Sequence, residues 1–256
     1  MSKYFNITDF NGFSEEYATT SDPTIISTRT VTKQKFEQLH LDSLGKFMKS
    51  NGLYPHKLKQ HLISSIYPNE LANGNCVDHI RMGYGKSPSQ FSAYQKFANL
   101  YSDSSNGYLK SDLKFSCTSQ IQIALNYDHW NTAFYLDHSG WLEQQNLLRK
   151  ISFKREYKKE LISIIDELAS KEYNLYLYCV DGYYEIETGK EFVDTLVELI
   201  EDEDIYPTIH IVKYVTINAK CNTYENIDDY VVNEFSNLLD LYNFISWNSI
   251  DNNYIN

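Results

Sequence analysis

Apolar positions recur with a period of two through Phe115, Cys117, Ile121, Ile123 and Leu125, and again through Thr132, Phe134 and Leu136. The polar break Asn126-Tyr127-Asp128-His129 separates the two runs. This pattern predicts a β-hairpin with one buried face. Its other face, with Ser116, Thr118, Gln120 and Gln122, is expected in solvent. Past Ser139-Gly140 the period lengthens. Tyr157, Leu161, Ile164, Ile165 and Leu168 fall on one helical stripe.

The same reading extends along the chain. Residues 1–30 read as irregular, with turns at Asn11-Gly12 and Asp22-Pro23. Helices are predicted over 31–49, 57–66, 90–100, 191–200 and 227–245. Strands are predicted over 76–82, 173–180, 183–187 and 209–217. The run at 173–180 is continuously apolar or aromatic, which reads as a central strand. The expected fold class is α+β: a mixed, mostly antiparallel sheet packed by helices. Its strands are the hairpin at about 115–137 and the segments at about 173–180 and 209–217. The expected organisation is a helical N-terminal region at 1–107 packed on the rest, an α+β core at 108–247 and a polar tail at 248–256.

Composition narrows the class. Of 256 residues, 42% are hydrophobic, enough for a substantial core. Mean hydropathy is −0.47. No apolar run approaches the roughly 18 to 20 residues that a spanning helix requires. The start, Met1 to Asn6, lacks the basic and then apolar order of a secretory signal. No membrane association and a cytoplasmic location are therefore expected. Cys76, Cys117, Cys179 and Cys221 form no Cys-x-x-Cys pair, so zinc and dithiol motifs are absent and reduced thiols are expected.

The net charge of −11 argues against broad nucleic-acid binding, which needs a basic footprint. It leaves room for a local patch, because Lys and Arg concentrate in 1–160 while acids dominate 181–251. The 22 tyrosines point to a protein partner. A tyrosine ring contributes contact area at low entropic cost, and its hydroxyl adds a hydrogen bond.

Two segments carry candidate chemistry. Arg81, Gly83, Gly85 and Lys86 precede a predicted helix, which is the recipe for an anion site. A nucleotide-binding P-loop is disfavoured, because Ile80 stands where its first glycine belongs and Pro88 disfavours a helical Ser87; the alternative for this segment is a simple turn. Asp181, Glu185, Glu187 and Lys190 form the second set. Glu185 and Glu187, two apart on a strand, would share a face and hold Mg²⁺ with Asp181. Lys190 would orient water, although Glu187-x-x-Lys190 is one residue too long for the Glu-x-Lys element of metal-dependent nucleases. The alternative for this set is a charged hairpin turn at Asp181-Gly182.

The remaining residue types add little. His129 and His138 lie at opposite ends of one strand, and His56 and His61 are five apart, off a shared helical face. Neither His-Glu-x-x-His nor Gly-x-Ser-x-Gly occurs. The acids Glu201 to Asp204 would oppose the dipole of a helix continuing through them, so an earlier helix end is expected.

Two functions follow as expectations. The first is a protein-interaction or accessory protein without a catalytic site or cofactor, of a kind suited to a phage, mobile element or bacterial defence system. The second is a Mg²⁺-dependent nuclease or phosphoesterase using Asp181, Glu185 and Glu187.

Overall fold

The Asn6 side chain accepts from the backbone N–H of Thr8 (2.9 Å), and the Asp9 carboxylate accepts from the N–H of Asn6 (2.8 Å). This reciprocal cap starts α1 (Ile7–Asn11). The second helix, α2 (Pro23–Leu39), starts eight residues before the predicted Val31. Asp22 caps it by accepting from the N–H of Thr24, and Pro23 occupies the first turn. The segment 1–30 is thus largely helical. The Asp-Pro pair marks a helix start, a signal masked by the weakly apolar turns that follow it. The helix widens into a π-helical turn at His40–Leu44 and continues as α3 (Gly45–Ser50). Gly45 permits that widening, since a Cβ there would lie 2.7 Å from the carbonyl oxygen of His40.

The computed structural model describes residues 2–55, 63–67, 76–101 and 117–250. Residues 102–107, which follow the helix predicted over 90–100, and the hairpin start at Phe115 fall outside them, as does most of the polar tail. The remaining elements are, in order, β1 (Tyr54–Pro55), β2 (Ile63–Tyr67), β3 (Cys76–Gly85), α4 (Pro88–Tyr101), β4 (Gln120–Leu125), β5 (His129–Leu136), α5 (Trp141–Phe153), α6 (Arg155–Ser170), β6 (Asn174–Cys179), β7 (Gly182–Ile186), α7 (Gly189–Val197), β8 (Thr208–Thr216) and α8 (Ile227–Ile245). A π-helical turn at Glu198–Asp202 continues α7 through Glu201, where the acids predict an earlier helix end.

These elements form two compact units, each drawn from three stretches of chain. The first unit comprises 1–84, 122–132 and 213–236, and the second 85–121, 133–212 and 237–256. Within the first, strands run β1-β3-β4-β5-β8, with β2 also on β3. Within the second they run β5-β8-β6-β7. The pairs β2–β3, β6–β7 and β6–β8 are antiparallel. The fold is therefore mixed α+β, as the hydrophobic periods indicate.

Two sequence expectations give way. Residues 63–66, read as the end of a helix, belong to β2, which pairs Ile63 with Arg81 and Ser65 with His79. Pairing along β3 outweighs the weak helical pattern of this short segment. The hairpin, read as half-buried, is covered on both faces: Gln120, Gln122 and Ala133 are buried along with Ile121, Ile123 and Phe134. Its turn is closed by Asn126, whose side chain accepts from the N–H groups of Asp128 and His129.

The core of the first unit is aromatic. Phe5 packs on Phe36 and Trp130, and Trp130 meets the edge of Tyr230. The Asn222 side chain pins Phe5 by accepting from its N–H (2.9 Å) and donating to its carbonyl (2.8 Å). In the second unit, Tyr94, Phe97, Ala98, Trp141, Leu142 and Trp247 form one cluster. There α6 presents Leu161, Ile165 and Leu168 inward, as the stripe predicts.

Candidate functional site

The two segments singled out from sequence take different places. The segment 83–89, between the predicted strand and helix, is mostly taken up by those elements: β3 runs to Gly85 and α4 begins at Pro88. Arg81 and Gly83 therefore lie within a strand. Lys86 is 3% exposed and forms an ion pair with the fully buried Glu143 at 2.6 Å. The ammonium also donates to Ser246 Oγ (2.5 Å) and to the carbonyl of Trp247 (2.7 Å). Glu143 in turn accepts from Ser119 N and Oγ, both at 2.6 Å, and from the N–H of Trp247 at 2.9 Å. Lys86 has three donors, and all three find acceptors inside the protein. Its cation fastens the chain after α8 to α5 instead of facing an external anion.

The set at 181–190 also separates. Lys190 pairs with Asp194 (2.9 Å), which also takes Lys158 (3.1 Å). Those two contacts hold the Asp194 carboxyl below the usual carboxylate range. Glu187 lies past the end of β7, where its N–H donates to Glu191. Asp181 occupies the turn before β7. Among the described residues, no three His, Cys, Asp or Glu side chains are grouped to share a metal ion.

Glu185 belongs to a different arrangement, one the sequence reading missed. On β6, Leu175 and Leu177 are buried while Tyr176 and Tyr178 face outward. Register places Tyr183 opposite Tyr178 and Glu185 opposite Tyr176 on β7. On the other side of β6, Thr208 lies opposite Tyr178 and His210 opposite Tyr176. Alternation thus gathers one aromatic face across β7, β6 and β8. The rings touch: Tyr176–Tyr178 and Tyr176–Tyr183 centroids are 5.7 Å apart, and Tyr178–Tyr183 centroids 5.6 Å. His210 continues the surface, 6.1 Å from Tyr178 and 5.9 Å from Tyr135 on β5. Tyr183 is 60% exposed.

Beyond Tyr178 the face opens into a cleft of about 400 Å³, lined among others by His138, Cys179, Asp204, Tyr206 and Thr208. The local charge is acidic. Burial, then the Glu185 carboxylate and the Tyr183 phenol, raise the Tyr176 pKa. Burial and the neighbouring Tyr176, Tyr183 and Glu185 do the same at Tyr178. The Cys179 thiol is raised by burial and by Glu203 and Asp181. Every charge that acts on these groups disfavours a further negative charge. The arrangement suits a ligand that is flat or extended, partly apolar and cationic.

Period-two alternation was present in the sequence, with leucines and tyrosines taking turns. Counting tyrosine as apolar concealed it. No family model matches the chain, and none of the curated proteins matches its sequence. Among the described residues no helix is long and apolar enough to cross a membrane.

Proposed function

We propose that this protein is a non-enzymatic interaction module that docks a positively charged polypeptide segment on the tyrosine face of β6, β7 and β8. The observation that carries this reading is the cluster of three mutually contacting, solvent-facing tyrosines beside the Glu185 carboxylate. Tyrosine-rich patches supply rigid contact area, and a negative field selects and steers a basic partner. In the strand order β7 stands last, so its outer backbone edge favours an extended segment lying alongside. We place the module in a reducing cytoplasm, a reading supported by the thiols of Cys179 and Cys221, which form no disulfide.

The test is fluorescence anisotropy with a labelled decapeptide of alternating Arg and Ser, set against its Glu–Ser counterpart. Binding of the basic peptide is expected, weakening as salt rises. The pair Tyr178→Ala with Tyr183→Ala should reduce affinity at least tenfold, on the order of two lost hot-spot contacts. Equal binding of the acidic peptide, or indifference to the double substitution, would refute the proposal.

A further inference from the structure

We infer that Tyr176, Tyr178 and Tyr183 form a seat for a single guanidinium group, so that an arginine side chain of the partner is its anchor. The inference rests on the reading of this face as a dock for a cationic polypeptide. It names the group that the face selects.

The geometry is that of a nearly equilateral triangle, with centroid separations of 5.7, 5.7 and 5.6 Å. A point on the axis of such a triangle lies about 3.3 Å from each centroid in the plane. It stays within the roughly 6 Å reach of a cation–π contact until about 5 Å above the plane. A cation there lies within that distance of all three centroids, and it stacks on the ring whose face is turned toward it. The rings do not form a flat floor: Tyr176 and Tyr183 are inclined at 79°, and Tyr178 at 41° and 42° to them. Such a corner offers a face to stack on, with the neighbouring rings as apolar walls.

Glu185 decides which cation fits best. Its backbone is in register with Tyr176, and its charge acts on both Tyr176 and Tyr178. A guanidinium stacks its plane on one ring while its N–H fork meets the carboxylate in bidentate fashion. An ammonium is more strongly hydrated, and as a point charge it gains only the electrostatic part of this arrangement.

The experiment records ring resonances of protein carrying ¹³C-tyrosine. The probes are N-acetyl-arginine amide, N-acetyl-lysine amide and tetramethylammonium, and the Arg–Ser decapeptide is titrated in parallel. The arginine amide is expected to shift the resonances of Tyr176, Tyr178 and Tyr183 together. It should saturate them at about threefold lower concentration than the lysine amide, the scale of one exposed cation–π and carboxylate contact. Tyr183→Leu should abolish the shifts and Tyr183→Phe retain them, which separates loss of the ring from loss of the fold. Glu185→Gln should erase the preference for arginine over lysine. Unmoved rings, or lysine and tetramethylammonium binding as well as arginine, overturn the guanidinium seat. If the decapeptide still binds and is still lost in the Tyr178 and Tyr183 alanine variant, only the seat fails. If the decapeptide does not bind either, the docking surface fails with it.

Discussion

Lys86 and Glu143 bring two charges into an interior where each depends on the other and on hydrogen bonds. Removing one partner leaves an uncompensated buried charge, typically at a cost of about 3–5 kcal/mol. Lys86→Met is therefore expected to destabilise the protein by about that amount in urea denaturation, and Lys86→Met with Glu143→Leu by clearly less than the sum of the single losses. Additive losses would show that the two charges act independently. Little of this node was legible in the sequence. Lys86 was visible as a cation before a helix, and its glycine neighbours suggested an anion. Its true partner stands 57 residues away in chain order on α5, and no local pattern marks Glu143. The buried Gln120 and Gln122 are a related case, since polar type alone does not tell an exposed face from a covered one.

At the scale of elements, close packing and capping fix how α7 joins the second unit. Thr188 caps the helix by accepting from the N–H of Glu191, and the Gly189 N–H donates to Asp166 on α6 at 2.6 Å. A Cβ on Gly189 would lie 2.3 Å from the carbonyl oxygen of Ile162, so α6 and α7 meet backbone to backbone. Gly189→Ala should cost about 1–3 kcal/mol of stability, read from the thermal midpoint. An unchanged midpoint would show that the two helices part without penalty. Most elements could be read from hydrophobic period: α8 has the bounds predicted for it, and α6 buries the predicted stripe. Errors fell where a residue type is ambiguous. Tyrosine is apolar along its ring and polar at its tip, so β6 looked buried on both faces when only its leucines are. The candidate site lay in that ambiguity, and only strand register brings Tyr183, Glu185 and His210 beside Tyr176 and Tyr178.

For the molecule as a whole, pH dependence has a stated sign. His79 and His129, both in the first unit, have pKa values below the ordinary histidine value. Burial is the larger cause, and the adjoining Asp78 and Asp128 oppose it. A depressed histidine pKa means that the fold favours the neutral ring. The stabilisation is complete above the unfolded value of about 6.5 and is lost as pH falls through the lower, folded value. The thermal midpoint should therefore drop as pH is lowered from about 7.5 towards 5, and His79→Gln should shallow that drop. A variant whose profile superimposes on the parent's would rule out His79 as a contributor.

The interleaving of the two units bears on how the protein comes into being. The chain passes from one unit to the other five times, at residues 84–85, 121–122, 132–133, 212–213 and 236–237. No single cut releases either unit whole. During synthesis the first unit lacks its last stretch until residue 236 has been made, and the second lacks the Trp247 segment that Lys86 and Glu143 secure. Contacts spanning most of the chain close slowly. A ribosome-bound intermediate thus carries Phe5, Phe36 and Trp130 without the strand and helix that complete their unit, and apolar surface left uncovered in this way is prone to aggregation.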